Sequence, residues 1–325
     1  MVSSQDIERA VAVLRAGGLV AFPTETVYGL GADAANVEAV KKVFAVKRRP
    51  THHPLIVHVA DAVQVANWAR DIPPPAQELA RRFWPGPLTI ILRRAPRVHD
   101  VVTGGQDTVA LRVPSHPVAQ ALLRAFGGGV AAPSANRFGR VSATTAEHVR
   151  KEFGGEIELV LDGGESDVGL ESTIVDLTGA RPALLRPGWI TASQLERALG
   201  RPLALPGADA ARAPGTLPSH YAPQTPLVVM EGDLLGELAA AFVRQGRRVA
   251  VLALSASQPV LQGITWITAP RDAAGYAHAL YANLRGLDEA ACDAILVECP
   301  PAAPEWAAIN DRLNRAATNA ESDQP

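Results

Sequence analysis

Cationic side chains are concentrated just before an apolar strand in the first fifth of the chain. Residues 47–53, KRRPTHH, supply Lys47, Arg49 and His53, and the strand LIVHV that follows contains His58. The formal net charge of the 325-residue chain is −2, so this basic patch is local and not part of a field that holds nucleic acid. If the segment is extended, Lys47 and Arg49 lie on the same side of it. We expect either a solvated turn or, more specifically, a polyanionic ligand here.

Two further arginines stand inside apolar strand patterns. Arg112 follows VAL in TVALRVP, and Arg186 lies in PALLRPG. A guanidinium in a strand is costly unless it has an anionic partner. That partner is either a carboxylate of the protein itself or a ligand. For each arginine taken alone, the sequence does not distinguish the two. Four cations at the ends of strands in one sheet favour a shared ligand cleft.

Hydroxyl groups fill the turns that flank these strands. They occur in PTETVYGLG, DTVALRVPSH, APSANRFGRVSAT and GLESTIVD, and they belong to Thr24, Thr26, Thr108, Ser134, Ser142, Ser172 and Thr173. None lies in the GxSxG setting of a nucleophile elbow, and no GxxxxGK[ST] phosphate loop is present. We interpret them as hydrogen-bond partners for a ligand. Thr144, with Glu147, is predicted to cap a helix instead.

Metal chelation is not predicted for the histidines of the basic stretch. The adjacent His52 and His53 point to opposite sides of an extended chain and should not bind one ion.

The elements that position these groups form a mixed pattern. Helices are predicted after Ser3 or Ser4, after Asn36, at Pro117 and after Thr191, the last with Gln194 as a capping box. Helices and strands do not alternate strictly, which is typical of a twisted, mixed α/β sheet with flanking helices.

Three segments of the chain differ in composition and in the pattern of apolar residues. Residues 1–200 hold the mixed sheet, and residues 201–225 are rich in Pro, Gly and Ala and read as a linker. Residues 226–325 show a βαβ-type series, which predicts a smaller Rossmann-like α/β domain. That domain has no GxGxxG motif, so we do not predict a nucleotide-binding site within it.

Composition points to a globular, cytoplasmic protein. Apolar residues make up 47% and charged residues 20%, and the first residues lack the apolar core of a signal peptide. No apolar run approaches membrane-spanning length. Cys292 and Cys299 fit no metal-binding spacing and are expected to be buried small hydrophobes.

Six motifs occur in a characteristic order: FPTETVYGLG, KRRP…PLIVHV, WPGPLT, LRVPSHP, APSANRFGRVSAT and GLESTIVD…LLRPG. Together they resemble the YrdC-like threonylcarbamoyl-AMP synthase family over about residues 5–200. The segment PGTLPSHYAP and the α/β tail resemble the two-domain branch of that family. The resemblance implies a YrdC-like sheet and the conversion of L-threonine, bicarbonate and ATP to threonylcarbamoyl-AMP and pyrophosphate. The product serves N6-threonylcarbamoyladenosine modification at position 37 of tRNAs that read ANN codons.

The resemblance also implies roles for individual residues. The group that holds phosphates and stabilises charge in transfer is Lys47, Arg49, Ser134 and Asn136. The L-threonine site is Thr26, His58, Arg112, the backbone at Ala132, and Ser172. The ATP site is Arg49, His53, Thr108, Ser134, Ser142, Arg186 and Tyr221, with the tyrosine folding back from the linker, a candidate lid. Position 53 is commonly Asn in the family; a histidine there can still donate to ATP, and this contact is expected to be pH-sensitive near neutrality.

Other functions remain open at this point. The main alternative is an RNA-binding or ribosome-associated module of the same fold without catalysis, although only 5% of residues are aromatic and RNA-stacking surfaces need aromatics. A carbamoyl-transfer maturation factor would need zinc modules that two cysteines cannot build, and a regulatory nucleotide binder would release no pyrophosphate. Mg²⁺ is expected with ATP, the downstream partner is the tRNA threonylcarbamoyl-transfer machinery, and direct tRNA binding stays open.

Overall fold

The chain folds into two compact units. The computed structural model describes residues 2–207, 210–259 and 262–318. The first unit comprises residues 1–138 and 143–216, and the second comprises residues 139–142 and 217–325. Within the described residues, the first unit contains a nine-stranded sheet and the second a four-stranded sheet.

Helices of the first unit begin where the sequence offers a capping side chain or a proline. Ser3 forms a capping box with Asp6, and Asn36 accepts hydrogen bonds from the first backbone N–H groups of the second helix. Proline occupies the first turn of the third and fifth helices. The helices are α1 (Ser4–Arg15), α2 (Val37–Lys47), α3 (Pro74–Phe83), α4 (Asp100–Thr103), α5 (Pro117–Phe126), α6 (Ala146–Phe153) and α7 (Ala192–Leu199).

The cap of α6 differs from the sequence prediction. Thr145, not Thr144, is the N-cap residue, and its hydroxyl accepts a hydrogen bond from the backbone N–H of His148. Two adjacent threonines satisfy similar local rules, and the helix begins one residue later than the capping-box pattern with Glu147 suggests. The capping box predicted at Thr191 is confirmed.

The strands of the first unit form one mixed sheet. They are β1 (Val20–Phe22), β2 (Gly29–Asp33), β3 (Ile56–His58), β4 (Leu88–Arg93), β5 (Thr108–Arg112), β6 (Val130–Ala131), β7 (Leu159–Val160), β8 (Thr173–Asp176) and β9 (Ala183–Arg186). Their order in the sheet is β7-β1-β2-β6-β3-β5-β4-β8-β9. Parallel pairs such as β3–β5 and β4–β8 alternate with antiparallel pairs such as β4–β5. The predicted mixed α/β sheet is confirmed.

The two faces of this sheet have different roles. One face packs under α2, α3, α6 and α7 as the main hydrophobic core. On the other face, α1 and α5 cover the β1 and β6 side. The remaining part of that second face, over β3, β5, β4 and β8, carries Ile56, Ala110, Ile91 and Ile174. Because side chains alternate along a strand, this part also receives the polar residues of the same strands.

A short piece of the Pro/Gly-rich segment packs against this second face. Residues 210–216, here called the cover segment, belong to the first unit. Ala213 is buried against the apolar residues of β3, β5, β4 and β8. The backbone N–H of Arg212 donates to Gln106 Oε1 at 2.6 Å, and Gln106 Nε2 donates back to the carbonyl of Arg212 at 3.1 Å. Two of the intervening linker residues, 208 and 209, lie outside the described residues.

The second unit is a parallel α/β layer structure. Its elements are β10 (Leu227–Met230), α8 (Gly232–Arg244), β11 (Val249–Ala253), β12 (Ile264–Thr268), α9 (Ala273–Glu289), β13 (Ala294–Glu298) and α10 (Ala307–Ala317). The strand order is β10-β13-β11-β12, and the pairs are parallel. Glu298 accepts hydrogen bonds from the backbone N–H groups that follow β11. A carboxylate of the protein therefore occupies donors of the kind that bind phosphate in other α/β folds.

Two smaller predictions concern cysteines and membranes. Cys292 and Cys299 are free thiols, but Cys292 is half-buried and Cys299 is exposed, so the prediction that both are buried was wrong. In the part of the chain that the structure describes, no helix has the length and apolarity needed to cross a bilayer.

Gly104, at the end of α4, should be far less replaceable than its neighbour. Both Gly104 and Gly105 have positive φ, but a Cβ on Gly104 would lie 2.3 Å from the carbonyl oxygen of His52, whereas one on Gly105 meets nothing within 4 Å. We expect Gly104→Ala to lower the free energy of unfolding by about 2–5 kcal/mol, and the matched Gly105→Ala by about 1–2 kcal/mol. Urea unfolding measures both, and equal losses would contradict the clash.

Candidate functional site

Lys47 is a buried cation at the end of α2. The helix ends because Arg48 adopts a left-handed conformation with φ of 53°. Lys47 is 1% exposed, and its Nζ donates to the carbonyl oxygen of Ser134 at 2.6 Å and to that of Asn136. The assumption that residues 47–49 are extended was therefore wrong, because Lys47 is helical. The K-x-R element and the S-x-N element nevertheless meet.

Backbone hydrogen bonds hold the turn that carries Ser134 and Asn136. The N–H of Ala135 donates to the carbonyl of Tyr28 at 2.7 Å, and the N–H of Phe138 donates to the carbonyl of Lys47 at 2.9 Å. The turn is thus fixed to the start of β2 on one side and to the end of α2 on the other. Its position relative to Lys47 does not depend on side-chain packing alone.

Burial lowers the pKa of Lys47 well below its usual value, and the nearby Arg49 lowers it further. Both effects disfavour a charged ammonium in this place. A polyanion bound beside Lys47 would oppose both of them and favour the charged form.

Arg49 and His53 both lie close to the same aromatic ring. The Arg49 guanidinium lies 5.4 Å from the ring centroid of Phe138, and the His53 ring lies 5.2 Å from the same centroid. The rings of His52 and His53 are 4.3 Å apart, so the expectation that they point to opposite sides was wrong. Partial burial, followed by Arg49, lowers the pKa of His53 to about 4. The imidazole is therefore neutral at pH 7 in these surroundings, and the pH dependence of its contact with ATP stays a prediction.

Arg112 is a buried cation with three neighbours. Its Nη1 donates to Thr26 Oγ1 at 2.8 Å, and its Nε donates to the carbonyl of Gly86 at 3.3 Å. Its Nη2 lies 2.8 Å from Glu25 Oε1, and both side chains are nearly inaccessible, with 4% and 6% exposed. For Arg112, the reading that a carboxylate of the protein is the partner was correct.

His58 lies beside Arg112 on the neighbouring parallel strand. The two residues are register partners in the β3–β5 pair. Burial, followed by the charge of Arg112, lowers the pKa of His58 to about 3, so the imidazole is neutral. Ala132 follows β6, and its N–H donates to the carbonyl of Ile56 at 2.9 Å.

Ser172 and Arg186 meet next to β4. Ser172 Oγ lies 2.7 Å from Thr89 Oγ1. Arg186 donates from Nε and Nη2 to the carbonyl of Ser172 and from Nη1 to the carbonyl of Pro214, which belongs to the cover segment. The cover segment thus contacts a predicted ATP-site residue directly.

Thr108 lies at the opposite end of β5 from Arg112. Both residues are on the same face, since they are four positions apart along the strand, which corresponds to roughly 13 Å. The two polar residues therefore lie at opposite ends of the apolar strip on which Ala213 packs.

Ser142 and Tyr221 belong to the second unit. The carbonyl of Ser142 accepts a hydrogen bond from Arg285 Nε at 3.1 Å. Tyr221 is 1% exposed, its ring stacks on Tyr281, and the Arg312 guanidinium lies 5.0 Å from its centroid. Tyr221 is thus packed inside its own unit.

Three residues were missed by the sequence analysis as parts of the site. Glu25 and Thr89 lie within quoted motifs, PTETVYGLG and WPGPLT, but they were not singled out. Phe138 lies in the turn after Asn136. An acidic residue next to Thr26 was the available signal for Glu25, because a strand arginine needs a counter-charge. Among the described residues, no group of three His, Cys, Asp or Glu side chains is arranged to hold a metal ion.

A cavity of about 560 Å³ lies on the other face of the same sheet. Ile90 and Val113 line it, whereas their chain neighbours Thr89 and Arg112 point to the site. Because side chains alternate between the two faces of a strand, the cavity and the polar residues Thr89 and Arg112 lie on opposite faces of the sheet.

Two family models match the chain. Residues 12–188 match the Sua5/YciO/YrdC model, described as telomere recombination. Residues 190–318 match the model of the threonylcarbamoyl-AMP synthase C-terminal domain.

Relatives match over nearly the full length. The chain is 41% identical to a threonylcarbamoyl-AMP synthase of Pyrococcus abyssi, over 95% of this chain and 93% of the relative. It is 42% identical to a threonylcarbamoyl-AMP synthase of Bacillus subtilis, over 96% and 92%. The crystal structure of P. abyssi Sua5 complexed with L-threonine superposes with a TM-score of 0.91 at 39% identity, covering 98% of this chain and 95% of that one.

Burial of neutral His58 should make stability depend on pH. In the unfolded chain a histidine titrates near pH 6.5, whereas the folded value is about 3. The stabilisation is complete above about pH 6.5 and is lost as pH falls from there towards 3. We expect His58→Gln to reduce the slope of unfolding free energy against pH by about 1.4 kcal/mol per pH unit between about pH 5 and 6. Urea unfolding across this range measures it; parallel curves for wild type and variant would contradict the prediction.

Proposed function

The chain belongs to the Sua5/YciO/YrdC family, and we infer from this membership that it catalyses the synthesis of threonylcarbamoyl-AMP. L-Threonine, bicarbonate and ATP are converted to threonylcarbamoyl-AMP and pyrophosphate. The single observation that carries the inference is the identity of about 40% to curated synthases over both units. The same full-length match favours catalysis over an RNA-binding module without activity.

We propose that the second face of the sheet binds the two larger substrates side by side. Thr26, His58, Arg112, the backbone at Ala132, and Ser172 form the L-threonine end. The ATP contacts are Arg49, His53, Thr108, Ser134, Ser142, Arg186 and Tyr221. The clustering of Thr26, His58 and Arg112, and the separation of Thr108 from Arg112 on one face, support this arrangement. L-Threonine in the P. abyssi complex supports an amino acid as one ligand.

The reaction needs positioning and charge neutralisation more than a covalent nucleophile. The threonine nitrogen, after loss of a proton, bonds to the bicarbonate carbon and water leaves, which gives a carbamate. A carbamate oxygen then attacks the α-phosphorus, and pyrophosphate leaves. Negative charge grows on the phosphate oxygens as this happens. Lys47 and Arg49, with donors from Ser134 and Asn136, are proposed to stabilise that charge because they are fixed in place and shielded from water.

Mg²⁺ is proposed to arrive with ATP. The described residues provide no cluster of ligands for it, so phosphate oxygens and water would supply most of its coordination. Mg²⁺ would neutralise charge on the phosphates.

The cover segment is proposed to act as the lid over the nucleotide. Its Ala213 is buried on the sheet face, and its Pro214 carbonyl binds Arg186. A ligand bound on that face would therefore contact the segment directly. The wider linker, residues 201–225, and the Rossmann-like domain, residues 226–325, would carry Tyr221.

The cellular setting is also part of the proposal. We propose a cytoplasmic enzyme, in keeping with its two free cysteines, whose product goes to the tRNA threonylcarbamoyl-transfer machinery. That machinery would place the group at position 37 of tRNAs reading ANN codons.

A labelled-substrate assay tests the function. Radiolabelled bicarbonate, ATP and a series of amino acids are incubated with the full chain, and the carbamoyl-adenylate is separated. We expect label in a nucleotide product only when L-threonine is present, together with an equal amount of pyrophosphate. Pyrophosphate without labelled nucleotide, or tRNA binding without ATP consumption, would contradict the proposal.

Removing the buried ammonium tests the charge-stabilising role. Lys47→Met keeps the chain length and removes the charge, and we expect pyrophosphate formation to fall by about 100-fold or more. Lys41→Met, on the exposed side of the same helix, is the matched control and should keep wild-type turnover. Equal turnover in a folded Lys47→Met variant, with folding checked by thermal unfolding, would contradict the role.

A further inference from the structure

Three buried polar atoms around Arg112 have no hydrogen-bond partner among the described residues. They are Glu25 Oε1, His58 Nδ1 and Arg112 Nη2. Glu25 Oε1 and Arg112 Nη2 lie 2.8 Å apart but do not form an aligned hydrogen bond. Buried groups of this kind are rare in folded proteins, and a bound ligand is one of the few explanations for them. Here they belong to one cluster, because Glu25 pairs with Arg112 and His58 is the register partner of Arg112 on the neighbouring strand.

Glu25 is held firmly in this place. Its Oε2 accepts a hydrogen bond from the backbone N–H of Ser115 at 3.1 Å, and its carbonyl accepts one from Val168 at 2.7 Å. The turn itself is closed by Thr24, whose Oγ1 donates to the carbonyl of Val27 at 2.6 Å. One carboxylate oxygen is therefore committed to the protein, and the other is directed to Arg112 without a hydrogen bond.

The three atoms are complementary to an amino-acid zwitterion. Arg112 Nη2 offers donors to a carboxylate, whereas Glu25 Oε1 and a neutral imidazole nitrogen of His58 accept hydrogen bonds. An ammonium group offers three donors. A ligand with both groups on one carbon would satisfy all three atoms, which a carboxylate or an amine alone would not do.

We propose that Glu25 is a substrate-binding residue that accepts a hydrogen bond from the amino group of L-threonine while Arg112 binds its carboxylate. This inference rests on the proposed function and adds a specificity determinant to it. The ion pair of Glu25 and Arg112 then serves both ends of the substrate. It selects α-amino acids over hydroxy acids of the same shape and orients the nitrogen that becomes part of the carbamate.

The alternative is that Glu25 only neutralises Arg112. In that case its removal changes the binding of every carboxylate ligand by a common factor, because only Arg112 is affected. A direct contact to the amino group instead weakens the binding of ligands that carry an amino group by a larger factor than that of ligands that do not. Two ligands that differ in that group alone therefore separate the two roles.

The experiment is calorimetric titration of the full chain with L-threonine and with its analogue in which a hydroxyl replaces the amino group, (2S,3R)-2,3-dihydroxybutanoate. For Glu25→Gln we expect the dissociation constant of L-threonine to rise by roughly 10- to 100-fold. That of the hydroxy acid should rise by a factor at least about threefold smaller, because its neutral hydroxyl lacks the charge of the ammonium group in any hydrogen bond to Glu25. Glu38→Gln, at an exposed carboxylate on α2, is the matched control.

Equal factors for the two ligands, or no change for either, would overturn the proposal. Thermal unfolding checks the fold of each variant. If Glu25→Gln does not fold, Glu25→Asp is used, which keeps the charge but withdraws the oxygen, and it should also weaken L-threonine selectively. Binding is read without turnover, so an inactive wild type that binds L-threonine would contradict the proposed function and leave this assignment standing.

Discussion

Water exclusion around fixed cations is the constraint on which this structure depends. Lys47, Arg112 and Arg186 are each at most 3% exposed, and an unsatisfied buried charge is among the most costly features in a fold. The chain meets the cost in two ways. Backbone carbonyls accept hydrogen bonds from Lys47 and Arg186, and the carboxylate of Glu25 pairs with Arg112. Carbonyls orient a cation without cancelling its charge.

The mixed sheet makes this arrangement possible because each strand contributes to both faces. Thr89 and Arg112 point to the polar side, and their neighbours Ile90 and Val113 pack on the opposite side. One set of strands thereby anchors the site in the main core, so the charged groups stand on a rigid support. Loops supply Arg49, His53 and Ser172 as well as the turns around Ser134 and Glu25. The turn around Ser134 is tied to β2 by a hydrogen bond from the Leu30 N–H to the Pro133 carbonyl.

Sequence patterns predicted the elements well where local rules act alone. The caps at Ser3, Asn36 and Thr191 follow from side-chain hydrogen bonding within one turn, and periodicity was sufficient for the mixed sheet. Lys47 was expected on an extended segment, but it is the last residue of α2. The helix ends at Arg48 through a left-handed conformation, which no local sequence rule predicts for an arginine.

Long-range contacts account for most of what the sequence did not predict. Glu25 is 87 positions from Arg112 in the chain, and the contact of Pro214 with Arg186 depends on how the linker packs. The hydrogen-bonding demand of a buried arginine could be predicted, whereas the particular residue that meets it could not.

Ala213 packs on the apolar residues of the second face of the sheet, and this contact bears on how long the product survives in water. Threonylcarbamoyl-AMP is a mixed anhydride of a carbamic and a phosphoric acid, a class of compound that water readily splits. If the bond forms on this face, as proposed above, the apolar contact that Ala213 makes would keep solvent from it. The yield per ATP would then depend on this contact as well as on how fast the bond is formed.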